Sequence, residues 1–391
     1  MNLDILAWEE IISEGTAKII IPKRELFKRP DGTYEPAWSP VFYNPIMRVN
    51  RDIASLATFS YFEGREYYFV EPLGGTGVRG LRLALESNGT GIINDVDPIS
   101  YYYIRRNIVL NKVMDKVFPS LHEANGLLNN LTFSGLPIDY IDVDPYGSPI
   151  PFIDSAIKPL GKESLIGITA TDTGPLNCSH KNKALRRYGV RCIKTDFSRE
   201  LGLRILLYNI VFRAASLDVA LYPLISYSHK HYYRVIFQAE RTGRKSYEVI
   251  DKCRGYLWYC RSTMERGFIK EPVENIVCSN GDEPEYIGPL WICGLGNKIF
   301  LQKMISNIDN MPFLSKETIE LLNKIEPDIT INKPYIRYDK LFGLHRKNQP
   351  PINDFIEKIR ELGYLAYRTH FDPRGIRTNA DIKDLHRLIS S

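Results

Sequence analysis

From Tyr67 onward the chain alternates short apolar runs with stretches of helical spacing, and this alternation constrains the fold more than any other feature. "YYFVEP" (67–72), "GIIND" (91–95), "VFPSLH" (117–122), "YIDVD" (140–144) and "SLIGITATD" (164–172) read as strands, rich in β-branched and aromatic residues. Between them "RGLRLALES", "ISYYYIRRNIVLN" and "PFIDSAIKPL" place apolar residues at helical intervals. Strands and helices in this order predict a parallel sheet covered on both faces, because each crossover must pack back onto the sheet. Asp97-Pro98 and Ser148-Pro149 each offer a capping side chain followed by proline, which starts a helix.

A longer helix is expected over 197–215, followed by two strands, "DVALYPLISYS" and "HYYRVIFQAE", joined by a tight turn near His229 and Lys230. A parallel sheet that ends in such a hairpin resembles the Rossmann-like methyltransferases. "RTGRKS" (241–246) reads as a boundary, and 391 residues exceed one ordinary core. The expected organisation is an α/β chain. Residues 1–240 form an N-terminal arm plus a Rossmann-like sheet, and residues 241–391 form an α+β domain. In the arm, "TAKIIIPK" suggests a strand, "KRPDGTYEPAWSP" a loop and "RVNRDIASLATFSYF" a helix. Beyond the boundary the pattern is irregular until "NDFIEKIRELGY", an amphipathic helix, and the closing "IKDLHRLI".

The net charge of +5 says little, but its distribution says more. "HKNKALRRYGVRCIK" (180–194) holds six Lys or Arg and no acid, and from Asp328 onward twelve Lys or Arg face eight Asp or Glu. Two basic regions suit a polyanion that touches both ends of the molecule. No run of about 18 apolar residues is present, so no membrane span is expected. The acidic beginning, "MNLDILAWEEIISEG", does not read as a secretory signal. Six cysteines are too sparse for a disulfide scaffold, and a cytoplasmic location is expected by default.

"EPLGGTGVRG" follows the first strand of the sheet. Its glycines, Gly75 and Gly77 among them, allow a sharp turn and close approach of a ligand to the next helix's N-terminus. Asp95 ends the second strand, where a carboxylate grips ribose hydroxyls in nucleotide-binding sheets. The dinucleotide pattern G-x-G-x-x-G is absent, and the fourth strand points to S-adenosylmethionine as the cofactor. It ends in "DYIDVDPYGSP", which sets Asp144, Pro145 and Tyr146 at a strand terminus. An exocyclic amine is a poor nucleophile because its lone pair is delocalised into the ring. A carboxylate and a carbonyl that accept its two N–H groups favour the pyramidal form and stabilise positive charge growing on nitrogen. A neighbouring ring stacks on the base and fixes the geometry. Asp142 is expected on the opposite face of the strand, in a structural role.

With these motifs the chain resembles the tRNA guanine-26 N2-dimethyltransferase family. The likeness runs through "SPVFYNP", "NRD", "GTGVRG", "DVDPYGSP", "TATD", "YIGPLW" and "RTHFDPRGIRT", in that order. It implies that Asp144 and the Pro145 carbonyl are catalytic and that Phe42 and Tyr146 sandwich a flipped guanine. It also implies that Arg51, Arg79 and Asp95 hold the methyl donor. Glu71, Gly75, Gly77, Glu123 and Ala124 complete the donor site; here glutamate stands at 71 and 123 where the family pattern has aspartate. Lys181, Lys183, Arg186, Arg187, Arg368, Arg374 and Arg377 are candidates for holding tRNA phosphates. No protein partner is implied. Two rivals stay open: another amine methylase, such as one acting on adenine N6, and an RNA-binding protein whose methyltransferase fold has lost its chemistry. Some family members carry two Cys-x-x-Cys pairs, whereas this chain has Thr263 and Gly281 where the second cysteines would fall. No zinc is therefore expected, with Cys260 and Cys278 close in space. These two are expected as reduced thiols, with a disulfide between them open if the source is a hyperthermophile.

Overall fold

A computed structural model describes residues 4–272 and 276–390 of the protein. The arm opens as a hairpin, β1 (Glu9–Glu14) and β2 (Ala17–Pro22), around Gly15 at a φ of +59°. Only the second of these strands was expected. Helix α1 (Arg48–Phe62) then leads into the sheet, buried along most of its length.

The units that follow are β3 (Tyr67–Glu71), α2 (Val78–Glu86), β4 (Gly89–Asp95), α3 (Pro98–Leu110), β5 (Val117–Leu121), α4 (Ala124–Phe133), β6 (Ile138–Val143), α5 (Ile153–Ile157) and β7 (Leu160–Ala170). Two short helices, α6 (Thr173–Leu176) and α7 (Lys181–Tyr188), precede the long α8 (Ser198–Ala215). β8 (Val219–His229) and β9 (Tyr232–Arg241) complete the sheet, with the turn at Lys230 in the left-handed region. Each expected strand of the sheet is present within a few residues of its expected ends.

The strand order is β5-β4-β3-β6-β7-β9-β8. β5 to β7 run parallel, and β9 lies antiparallel between β7 and β8. The order reverses between β3 and β6. In open α/β sheets ligands bind outside the strand ends at such a switch point. Here those ends carry Glu71 and, just past Val143, Asp144.

The stretch 241–246 opens α9 (Gly243–Cys253), whose Val249 and Cys253 join the core formed by α4, α5 and α8. β10 (Arg254–Tyr259), β11 (Arg266–Ile269) and β12 (Glu285–Trp291) form a small antiparallel sheet on that side. α10 (Lys298–Ser306) and α11 (Lys316–Thr330) return to the other face and share one core with α1, α2 and β2. The last core gathers β13 (Ile336–Arg337), α12 (Tyr338–Leu344), α13 (Ile352–Glu361), β14 (Ala366–Arg368), β15 (Gly375–Thr378) and α14 (Ile382–Ser390). Among the described residues no helix is long and apolar enough to cross a membrane.

The six cysteines do not remain thiols. They pair as Cys178–Cys192, Cys253–Cys293 and Cys260–Cys278, the last taking the disulfide alternative in place of reduced thiols. Linear spacing concealed this: Cys178 and Cys192 bracket α7, and Cys253 meets Cys293 across 40 residues. Cys260, Glu265 and Cys278 do face a common point. Their two sulfurs are bonded to each other, and the Glu265 carboxylate already accepts from Ser279 and Thr263.

Candidate active site

The glycine loop between β3 and α2 is folded by its own backbone. Gly74 N donates to the Asn94 carbonyl at 2.7 Å and Gly77 N to the Gly74 carbonyl at 2.8 Å. Gly75 and Gly77 have φ of +54° and +78°, a region that disfavours other residues. A Cβ added at Gly75 would lie 2.9 Å from the Phe42 carbonyl oxygen, so the arm passes directly over the loop. Asp95 fixes the loop from the neighbouring strand end. Its Oδ2 accepts from Gly75 N at 2.8 Å and its Oδ1 from Asp97 N at 3.0 Å. Each oxygen keeps a lone pair for a ribose hydroxyl.

These residues fit S-adenosylmethionine. The cradle at Gly75 has no room for a side chain, and Thr76 Oγ1, inside the loop, is buried without a hydrogen-bond partner. Glu123 stands at the end of β5, where its carboxylate caps α4 through Asn125 N (3.0 Å) and Gly126 N (2.7 Å), and Ala124 begins that helix, buried. Arg51 lies beneath the segment that carries Phe42. It donates to Glu14 Oε1 at 2.6 Å and to the Asn44 carbonyl at 3.1 Å. Burial alone would raise the Glu14 carboxyl, but Arg51 and Arg82 hold it down at about 2.

At the end of β6, Asp144 is partly buried and accepts from Arg79 Nη2. Pro145 is buried, whereas Tyr146 is 89% exposed; Phe42 is 44% exposed. Gly147, at a φ of +97°, donates to Thr171 Oγ1 at 2.6 Å, which ties the loop to the end of β7. Arg79 also reaches Asn50 Oδ1 at 2.8 Å, Asp142 Oδ2 at 3.3 Å and Glu71 Oε1 at 3.6 Å. One guanidinium touching both aspartates puts Asp142 and Asp144 on the same face. The expectation of opposite faces is corrected: residues two apart on a strand share a side.

Burial pushes the Glu71 carboxyl up to about 8, helped by the nearby negative charge of Asp142 and Asp144. Asp142 is also buried, but Arg234 and then Arg79 outweigh desolvation and hold its carboxyl below the usual range.

The basic regions divide. Lys181 and Arg186 are exposed on α7 and Lys183 is partly so, while Arg187 donates to Asp172 at 2.7 Å. Tyr188, the last residue of α7, donates to Asp172 and lies 3.1 Å from Ser148 Oγ, so this helix flanks the Asp144–Ser148 loop. Arg368 and Arg374 are exposed, the latter beside Asp339 and Asp372. Arg377 cannot meet RNA. It is fully buried, with Nε 2.6 Å from Asp328 and Nη2 2.8 Å from Glu200, and its assignment to phosphate is corrected. Asn50, Thr169, Thr171, Asp172 and Arg234 were given no role from sequence. Four of them lie within "NRD" and "TATD", and Arg234 interrupts the apolar run Tyr232–Phe237 at the start of β9. These were the available signals.

A donor loop and acidic strand ends meeting at the switch point place the chain in the class of S-adenosylmethionine-dependent methyltransferases. Comparison with known proteins narrows that class. The family model described as N2,N2-dimethylguanosine tRNA methyltransferase matches residues 15–390, and the chain belongs to that family. It is 35% identical over 383 residues to a tRNA (guanine(26)-N(2))-dimethyltransferase of Sulfurisphaera tokodaii, covering 97% of this chain and 98% of the relative. A Methanococcus maripaludis protein of the same description is 32% identical over 391 residues, with 97% and 98% covered. The solved structure of Trm1 from Pyrococcus horikoshii with S-adenosyl-L-methionine superposes with a TM-score of 0.81 at 27% identity, covering 97% of this chain and 99% of that one.

Proposed function

We propose that this chain methylates the exocyclic N2 of guanine 26 in tRNA twice, with Asp144 as the carboxylate that meets the amine. The observation that carries this reading is Asp144-Pro145-Tyr146 at the end of β6, one ring exposed beside a carboxylate that Arg79 orients. S-adenosylmethionine, when bound, supplies an electrophilic methyl group. Gly75, Gly77 and Asp95 would hold its nucleoside side with Glu123 and Ala124, and Glu71, Arg51 and Arg79 its amino-acid side. Phe42 and Tyr146 take the flipped base between them, repaying an extrusion that costs roughly a few kcal/mol. Asp144 and the Pro145 carbonyl accept the two N–H groups, and Asp144 takes the proton that nitrogen sheds after each transfer. Once Asp144 has passed that proton to water, the monomethylated amine still carries one N–H, which a single acceptor takes in the second round. Lys181, Lys183, Arg186 and Arg187 of α7 would hold phosphates beside the site, and Arg368 and Arg374 more distant ones.

The test is direct. Transcripts with guanine 26 should yield N2,N2-dimethylguanosine with labelled donor, and transcripts with adenine 26 should yield no methylated base there. Methyladenosine from the second substrate would refute the assignment.

A further inference from the structure

Behind Asp144 lies a closed ring of buried polar groups that meets the site through Arg79. Asn50 Nδ2 donates to Thr169 Oγ1 at 3.0 Å, and its Oδ1 accepts from Arg79 at 2.8 Å. Arg79 reaches Asp142 at 3.3 Å. Asp142 Oδ1 accepts from Arg234 Nη1 at 2.9 Å, and the same Nη1 returns to Thr169 Oγ1 at 3.1 Å. The ring therefore closes through α1, α2, β6, β9 and β7. Arg234, Thr169 and Asn50 are wholly inaccessible and Asp142 is 1% exposed. Tyr140 braces it, donating to Asp142 Oδ2 and accepting from Arg234 Nη2 at 3.1 Å. Space for Arg234 depends on Gly167, where an added Cβ would fall 2.4 Å from Nη2.

Two buried cations face the side chains of Asp142 and Asp144. Without Arg234, Asp142 would draw Arg79 toward itself, and Arg79 holds Asp144. We propose that Arg234 is a positioning residue of the methyl transfer: its fork on Asp142 fixes Arg79, and through Arg79 the Asp144 carboxylate. This rests on Asp144 being the catalytic carboxylate. A fork is required because a point cation cannot bond Asp142, Thr169 and Tyr140 at fixed angles. The charged and titratable groups around Asp144 are Arg79 from α2, Glu71 from β3, Asp142 and Tyr140 from β6, Tyr227 from β8, and Tyr232 and Arg234 from β9.

Arg234→Lys, Arg234→Gln and Tyr140→Phe would be compared in single turnover with donor and tRNA both saturating, so that affinity does not enter. Arg234→Lys should lower the rate constant at least about tenfold, because misplacing a reacting group costs steeply. Tyr140→Phe, which alters one hydroxyl and leaves packing intact, should lower it about threefold. Arg234→Gln should also move the acid limb of the rate profile up by about one pH unit, since a cation beside the carboxylates is lost. In an Asp144→Asn background, Arg234→Lys should add less than about twofold, as expected of residues acting as a unit. A normal rate and an unmoved acid limb, with only a lower melting temperature, would make Arg234 purely structural and overturn the proposal. Near-normal turnover in Asp144→Asn alone would instead overturn the reading of Asp144.

Discussion

Asp144 and Tyr146 stand two residues apart yet ask different things of their surroundings. In the proposed reaction the carboxylate needs charge, so Asp144→Asn, which keeps shape and one acceptor, should lower single-turnover transfer about 100-fold with donor affinity retained, as isotope transfer and calorimetry would report. The ring needs only its face: Tyr146→Phe should stay within about threefold of the parent and Tyr146→Ala fall well below it, since stacking is worth about 1–3 kcal/mol. Equal losses in both variants would mean that the hydroxyl acts. The placement of Asp144 and Tyr146 together at one strand end was legible because they are contiguous in the chain. That of Arg377 was not. A basic residue in a basic motif looks the same whether it faces water or a buried acid, and its partners Glu200 and Asp328 lie far away in sequence. Asp142 was misjudged for a different reason, the strand period itself.

At the scale of the element, α7 is a short helix that presents Lys181 and Arg186, and the Cys178–Cys192 bond closes the loop around it. Replacing Lys181 and Arg186 with Ala should lower the slope of log affinity for tRNA against log salt by up to about two, because every phosphate left without a protein cation keeps its own counterion. Cys178→Ser should weaken tRNA binding through a looser α7 without changing donor affinity, because a loop of this length loses about 3 kcal/mol of restraint in the chain-entropy account. Filter binding across a salt series measures both, and an unchanged slope in the double variant would leave α7 an ordinary solvated face. The sheet strands were readable from apolar runs, and α8 from its length. β1 was missed because Glu and Ser interrupt its short apolar run, and α9 because Arg-Thr-Gly-Arg-Lys-Ser carries linker composition even where it folds as the start of a helix.

Across the whole molecule the buried charges set how stability follows pH. Burial acts against the Asp328 carboxylate, but Arg377 and His370 hold its carboxyl far below the usual range. That contribution is complete above the ordinary carboxylate value near pH 4 and fades as pH falls below it. Glu71 works in the opposite sense. Its folded value is raised to about 8, so the native state binds the extra proton and stability declines as pH rises from the ordinary glutamate range toward 8. Glu71→Gln should remove that decline, and its stability relative to the parent should grow by about 1–3 kcal/mol between pH 5 and 8 in urea titrations. Parallel curves would place Glu71 among ordinary ionised carboxylates. Arg377→Met breaks two buried ion pairs at once, leaving Glu200 to Arg204 and Asp328 to His370, and should cost about 3–5 kcal/mol, read as a fall in melting temperature. The Glu200–Arg377 pair, 177 residues apart, also has a meaning in time. A ribosome adds roughly 5–20 residues per second, so Glu200 leaves it on the order of ten seconds or more before its second counter-ion, Arg377, is made. Until then Glu200 is paired within α8 by Arg204 alone, and the second half of its charge compensation is added only when β15 has been made.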